Sequence, residues 1–144
     1  MKQFRSVRST NGVASVEFAL ILLPFCLLLM GMIDYGWYFF VDLACTNAVR
    51  AGARSATTFP GAIAAPCLAA ASQQGQTTAQ TAINNLIAGA HGIAAYAAAP
   101  VCACALDAGG NPQYTCVINA NFVRLTGFNL APVPAQIRTS ATMR

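Results

Sequence analysis

Apolar positions are spread very unevenly along this chain. Phe18 to Ile33 (FALILLPFCLLLMGMI) carries no charged residue and is apolar on every face rather than along one stripe. Asp34 interrupts the run, and Tyr35 to Val41 (YGWYFFV) then continues uncharged. At about 1.5 Å per helical residue the first run covers about 24 Å, and the two together exceed a hydrocarbon core of about 30 Å. The pattern predicts a transmembrane helix over residues 13–41 rather than the buried helix of a soluble core. Asp34 falls near the far edge of that span, where a carboxylate reaches water or headgroups at modest cost. Tyr35, Trp37 and Tyr38 beside it read as an interfacial aromatic belt.

From Asp42 the pattern changes. Asp42, Thr46, Arg50 and Arg54 recur every four residues, so the helix is expected to continue over 42–58 with one polar side. Ala44, Cys45, Ala48 and Ala51-Gly52 give it a small-residue surface suited to close helix contact. Phe59-Pro60-Gly61 is a strong stop. Residues 57–75, rich in Ala, Pro, Gly and polar side chains, read as a loop. Thr77 to Ala90 (TTAQTAINNLIAGA) puts Ala79, Ile83, Leu86, Ile87 and Ala90 on one stripe and predicts a second, amphipathic helix.

The last third reads as strands. Val101 to Leu106 and Tyr114 to Leu125 flank the turn-rich DAGGNPQ of residues 107–113, and Gln136 to Met143 alternates as a third strand. The expected fold class is α+β: a long N-terminal transmembrane helix continuing into a small domain over 59–144, with a second helix and a three-stranded antiparallel sheet. No internal repeat is visible.

Charge then orients the span. Hydrophobic residues make up 56% of the 144 and charged residues 8%, against the quarter or so usual in soluble domains. Of the net charge of +4, Lys2, Arg5 and Arg8 stand in a basic leader, residues 1–12, that has no acidic residue. Charge this sparse elsewhere excludes a nucleic-acid-binding face, which needs clustered cations to replace phosphate counterions. The leader is a topology signal: by the positive-inside rule it stays in the cytoplasm, and the chain beyond about Val41 lies outside a bacterial inner membrane. An ordinary cleaved signal peptide is a poorer fit, because the apolar stretch is too long and bulky aromatics follow it.

Between leader and apolar run stands Gly12-Val13-Ala14-Ser15-Val16-Glu17-Phe18. A basic leader, a Gly, a Glu five residues on, an aromatic and an apolar helix together resemble a class III (prepilin) signal. That resemblance implies cleavage after Gly12 by a membrane-embedded aspartic peptidase, leaving Val13 as the new N-terminus. Glycine suits such a site because its backbone enters a protease cleft unhindered. Glu17 is costly at the rim of an apolar helix unless compensated. The resemblance implies a partner, the free amine of a neighbouring subunit's Val13, with the pair setting register on assembly. The plain alternative is a Glu snorkelling to the interface, or one favoured by the positive end of the helix dipole.

The longer stretch RSTNGVASVEFALILLPFCLLLMGMIDYGWYFF, with NAVRAGAR after it, is similar to the TadE-like family of Tad (Flp) pilus assembly proteins. The likeness covers residues 8–54, including Pro24 and the Asp34-Tyr35-Gly36 corner, and returns in the closing ATMR. It implies a single-pass pseudopilin or minor pilin with a pilin-like architecture, acting in pilus biogenesis. The implied partners are a prepilin peptidase, other subunits of the pilus machinery and the lipid bilayer. The TadG type is much larger, and the TadF type is closer in size. Pro24 removes one backbone hydrogen bond from the helix, which marks either a flexible point for extraction into an assembly or an ordinary tolerated kink.

Six cysteines complete the picture. Cys26 lies in the apolar run and reads as a small apolar side chain, and Cys45 sits on the helix beyond it. Cys67, Cys102, Cys104 and Cys116 fall in the part expected to be exported, where disulfides persist. Cys102 and Cys104 share one face of a strand and either can meet Cys116 across the hairpin, leaving the other for Cys67. Four cysteines allow three pairings, and the sequence does not choose. A zinc site built from these thiols and His91 is the weaker reading, because the C-x₂-C spacing is absent. The sequence offers no Ser/His/Asp set, paired carboxylates or phosphate-binding glycine loop, so neither an enzyme nor a cofactor is expected. The competing function is an uncleaved, disulfide-stabilised binding module on a signal anchor.

Overall fold

A computed structural model describes residues 11–62, 67–87, 99–122, 124, 126 and 134–144. The basic leader over 1–10 and His91 lie outside the described residues. Five elements follow in order: α1 Asn11–Thr57, α2 Ala69–Ile87, β1 Val101–Leu106, β2 Pro112–Asn121 and β3 Gln136–Met143. The strands form one antiparallel sheet in the order β1-β2-β3. This is the expected α+β arrangement, with the long helix shared between an uncovered N-terminal half and a domain packed on its C-terminal half.

The 47 residues of α1 extend about 70 Å without a break. It ends where Thr57 and Thr58 hydroxyls donate to the Arg54 carbonyl at 2.9 and 3.1 Å, just before Pro60 and a left-handed Gly61 (φ 87°). Pro60 cannot extend the backbone ladder, and Gly61 adopts its φ without steric cost. Over its upper half, positions 41, 44, 45, 48, 49, 52, 53 and 56 are buried, the spacing of a single helical face.

Along β2, Tyr114, Cys116, Ile118 and Ala120 are buried in strict alternation, so one sheet face is closed against the helices. Val49, Ile83, Ile118 and Ile137 fill the main core, one from each of α1, α2, β2 and β3. Burying side chains of this size contributes about 1.5–3 kcal/mol each. A smaller cluster joins Ala56, Ala62, Ala71 and Tyr114 at the far end of the domain. A hydroxyl contact, Thr46 to Thr139 at 3.2 Å, ties α1 to β3. The Gln76 amide donates to the Cys102 carbonyl at 3.3 Å and ties α2 to the edge strand β1.

Two boundaries differ from the sequence-based expectation. The second helix begins at Ala69, inside the stretch read as a loop over 57–75, rather than at Thr77. Ala69 to Gln76 carries no large apolar residue, so no hydrophobic stripe announces it, although Ala and Gln are good helix formers. Its contact surface is made of small residues. Gly75 meets Gly52 of α1 so closely that a methyl on Gly52 would stand 2.7 Å from the Gly75 carbonyl oxygen and 2.9 Å from Ala79 Cβ. The second difference is β2, which spans Pro112–Asn121 rather than residues 114–125. Pro112 opens the strand, the one position where its missing N–H is tolerated, and Leu106 pairs opposite it.

Gly52 and Gly75 therefore set the distance between α1 and α2. Gly52→Ala is expected to lower unfolding stability in detergent by about 1–3 kcal/mol despite alanine's better helix propensity. Gly36→Ala, where an added methyl meets nothing within 4 Å, should show no such loss in the same denaturation assay.

Candidate functional site: the N-terminal helix and its junction with the domain

Residues 11–33 of α1 cover about 34 Å and project beyond the domain. Their side chains from Gly12 onward are exposed, apart from a half-buried Gly31. Among the described residues, α1 is the one helix long and apolar enough to cross a membrane. In water, uncovered leucine, isoleucine and phenylalanine side chains over such a length would be an aggregation surface, so the helix needs an apolar environment. Its composition and exposure are those of a candidate membrane span.

The sequence-predicted residues fall at its start. Gly12 and Val13 are already helical, with open space around Gly12 among the described residues and Val13 exposed. Glu17 is exposed one turn further on, and Phe18 beside it is 65% exposed. No ion pair involving Glu17 occurs among the described residues, so a partner for it has to come from outside them. Pro24 sits inside a helix that continues on both sides.

Asp34 is the junction. It lies one residue past the apolar run yet is only 4% exposed, and Thr126, from the chain between β2 and β3, bonds to it. Thr126 donates to the carboxylate twice, from its backbone N–H at 3.1 Å and from its hydroxyl at 2.5 Å. A carboxylate taken from water needs such donors, and hydrogen bonds to a charged acceptor are the strong kind. Tyr38 and Phe122 meet edge to face at 5.4 Å on the same side, and Trp37 also packs on the core. Asp34 thus reaches the domain rather than headgroups, and Trp37 and Tyr38 turn inward rather than forming a belt. The sequence reading missed Thr126. A lone acid beside an apolar run signals that a partner exists, but nothing in the local pattern identifies one 92 positions away.

The four outer cysteines form two disulfides, Cys102–Cys116 and Cys67–Cys104. Strand register makes the choice: Cys102 stands directly opposite Cys116, whereas Cys104 stands opposite Tyr114. Cys67 is held at φ 61°, a left-handed conformation that costs a non-glycine residue roughly 1–2 kcal/mol. Bridges of this kind stabilise by about 2–4 kcal/mol each, well above that cost. They also consume the thiols that a zinc site would need. Cys45 is free and buried, and burial first, then the nearby Asp42, pushes its thiol up to about 11, so it stays a neutral core side chain.

At the opposite end of the domain a cavity of about 390 Å³ is lined by Thr57, Ala62, Asp107, Pro112, Tyr114 and Arg144, among others. Asp107 is committed to its own turn: its Oδ1 accepts from the Asn111 and Gly109 amides at 2.9 and 2.8 Å. Those bonds, the Asn111 one foremost, hold its carboxyl below the usual range. With the Gln113 amide oxygen turned toward Arg144, the guanidinium donates to it at 2.6 and 2.8 Å. Asp107 and Arg144 are thus both engaged, while the buried Tyr114 hydroxyl in the lining has no hydrogen-bond partner among the described residues. Among the described residues no group of three or more His, Cys, Asp or Glu side chains is placed to hold a metal ion.

Comparison with known proteins bears on the helix. Residues 12–54 match the family model described as TadE-like protein, nearly the same stretch that carries the resemblance read from the sequence. The match ends within α1 and leaves the second helix and the sheet uncovered. Neither the curated proteins nor the solved structures yield a match.

The Asp34–Thr126 pair makes a direct prediction. Thr126→Val keeps the backbone donor and loses the hydroxyl, and should lower stability by about 1.5–3 kcal/mol. A double-mutant cycle with Asp34→Asn checks it. A coupling energy near zero would mean that the two groups do not act together.

Proposed function

We propose that this chain is a TadE-like minor pilin or pseudopilin that acts in biogenesis of a Tad (Flp-type) pilus. The observation that carries the reading is the coincidence of two features on α1. The family match covers the segment whose lower half is apolar on all sides and left bare by the chain's own domain. A helix of that kind serves equally as a bilayer anchor and as a rod to be packed among identical rods in a fibre, because both surroundings are apolar. The chain's part in the process is structural, with other pilus assembly components as its partners.

The finer steps follow from the start of α1. A prepilin peptidase cuts after Gly12 and releases the basic leader on the cytoplasmic side. The helix stays in the inner membrane with the domain outside it, where an oxidising space keeps both disulfides intact. Glu17, exposed and without an ion pair among the described residues, then meets the new Val13 amine of a neighbouring subunit. Pairing two charges in an apolar setting costs far less than burying either alone, and it fixes register.

Intact mass of the membrane-extracted protein tests this reading. A chain beginning at Val13 is expected. One beginning at Met1 or Lys2 would instead support an uncleaved anchor carrying a binding module. Glu17→Gln should be cleaved normally yet fail to support pili, and normal pilus output from that variant would remove the charge-pair role.

A further inference from the structure

On the side of α1 turned away from the domain, the apolar surface continues past the point where the domain begins. Asp34 is already covered, yet Tyr35, Phe39, Phe40 and Leu43 remain exposed, Phe39 and Leu43 at 63% and 60%. This side turns polar only from Asn47, and Arg50 and Arg54 are exposed on it. At about 100° of rotation per residue, Phe39, Leu43, Arg50 and Arg54 fall within a sector of about 60°, with Met32 on the same line below them. Read upward, the stripe runs aliphatic, aromatic, then cationic. That is the order of chemical layers met on leaving a bilayer: acyl chains, interface, phosphates.

Length agrees with the order. From Val13 to Leu43 the exposed apolar side measures about 45 Å, more than a hydrocarbon core of about 30 Å but equal to a bilayer with its headgroup layers, about 40–45 Å. We propose that this side of α1 passes through the outer headgroup layer, with Tyr35, Phe39, Phe40 and Leu43 in the interface and Arg50, about 10 Å above Leu43, leaning back along the helix toward the phosphates of anionic phospholipid. The domain is then seated in that layer on the other side of the helix, with Phe122 and Thr126 at the lipid surface rather than held clear of it. The inference rests on the membrane-span part of the proposed function and adds the lipid chemistry that this face recognises.

A second copy of the helix suits the face less well. Two copies inserted in the same orientation and packed on this stripe would bring Arg50 and Arg54 against their own counterparts, a like-charge arrangement that opposes pairing. Anionic phosphate offers the opposite sign.

The full chain in vesicles of phosphatidylcholine, with or without phosphatidylglycerol, allows a depth test. Trp37→Phe removes the native tryptophan, whose buried indole N–H has no hydrogen-bond partner among the described residues. Single reporters then follow as Phe25→Trp, Phe39→Trp or Asn47→Trp, quenched by lipids brominated either near the glycerol or near the chain ends. Phe25→Trp should lose fluorescence to the deep label and Phe39→Trp to the shallow one. Asn47→Trp should lose it to the shallow label in phosphatidylglycerol vesicles, and that loss should vanish with Arg50→Gln. An unquenched Phe25→Trp would sink the membrane span itself. A quenched Phe25→Trp beside an unquenched Phe39→Trp would overturn this inference alone. A photoreactive benzoyl-phenylalanine at position 39, with Trp37 kept, gives an independent reading: adducts to lipid support the proposal, and adducts to a second copy overturn it.

Discussion

One helix has to satisfy two solvents, and the junction between them is a single buried carboxylate. Below Asp34 none of the described residues covers α1, so that bare apolar segment calls for surroundings without water. Above it, the domain's weight of contacts falls on one face of the same helix. Asp34 is where the two regimes meet, and its bonds from Thr126 tie that residue to the helix at this level. Without them a charge would be stranded at the start of an apolar rod.

The domain above is built by close approach rather than by bulk. Few large side chains fill its core, so glycine and alanine on α1 and α2 let the two backbones nearly touch, and the sheet closes the remaining side. Such contacts gain from many short dispersion distances while burying little apolar area each. The two disulfides compensate for that modest core. One staples β1 to β2, and the other ties the segment before α2 to the edge strand.

How much of this was legible in the sequence depended on whether the signal was local. The apolar run from Phe18 to Ile33, the stop at Phe59-Pro60-Gly61 and the alternation in the strands each announce themselves within a few residues. The start of α2 did not, because Ala71, Gly75 and Ala79 form a contact stripe that a search for large apolar residues passes over. The pairing of Cys102 with Cys116 rather than Cys104 with Cys116 needed the strand register, which the turn over 107–111 sets. Thr126 meeting Asp34 is a tertiary fact with no sequence shadow at all. The candidate processing site, by contrast, rests on order and spacing along the chain, a signal to which the fold adds nothing.

The central claim is that the lower half of α1 stays in a lipid environment while the folded domain hangs from its upper half. Alkaline carbonate washing of membranes from cells producing the full chain tests this most directly. The account predicts that the protein remains with the membranes, disulfides intact, and is released only by detergent. Recovery in the wash as a folded, monodisperse monomer would contradict it.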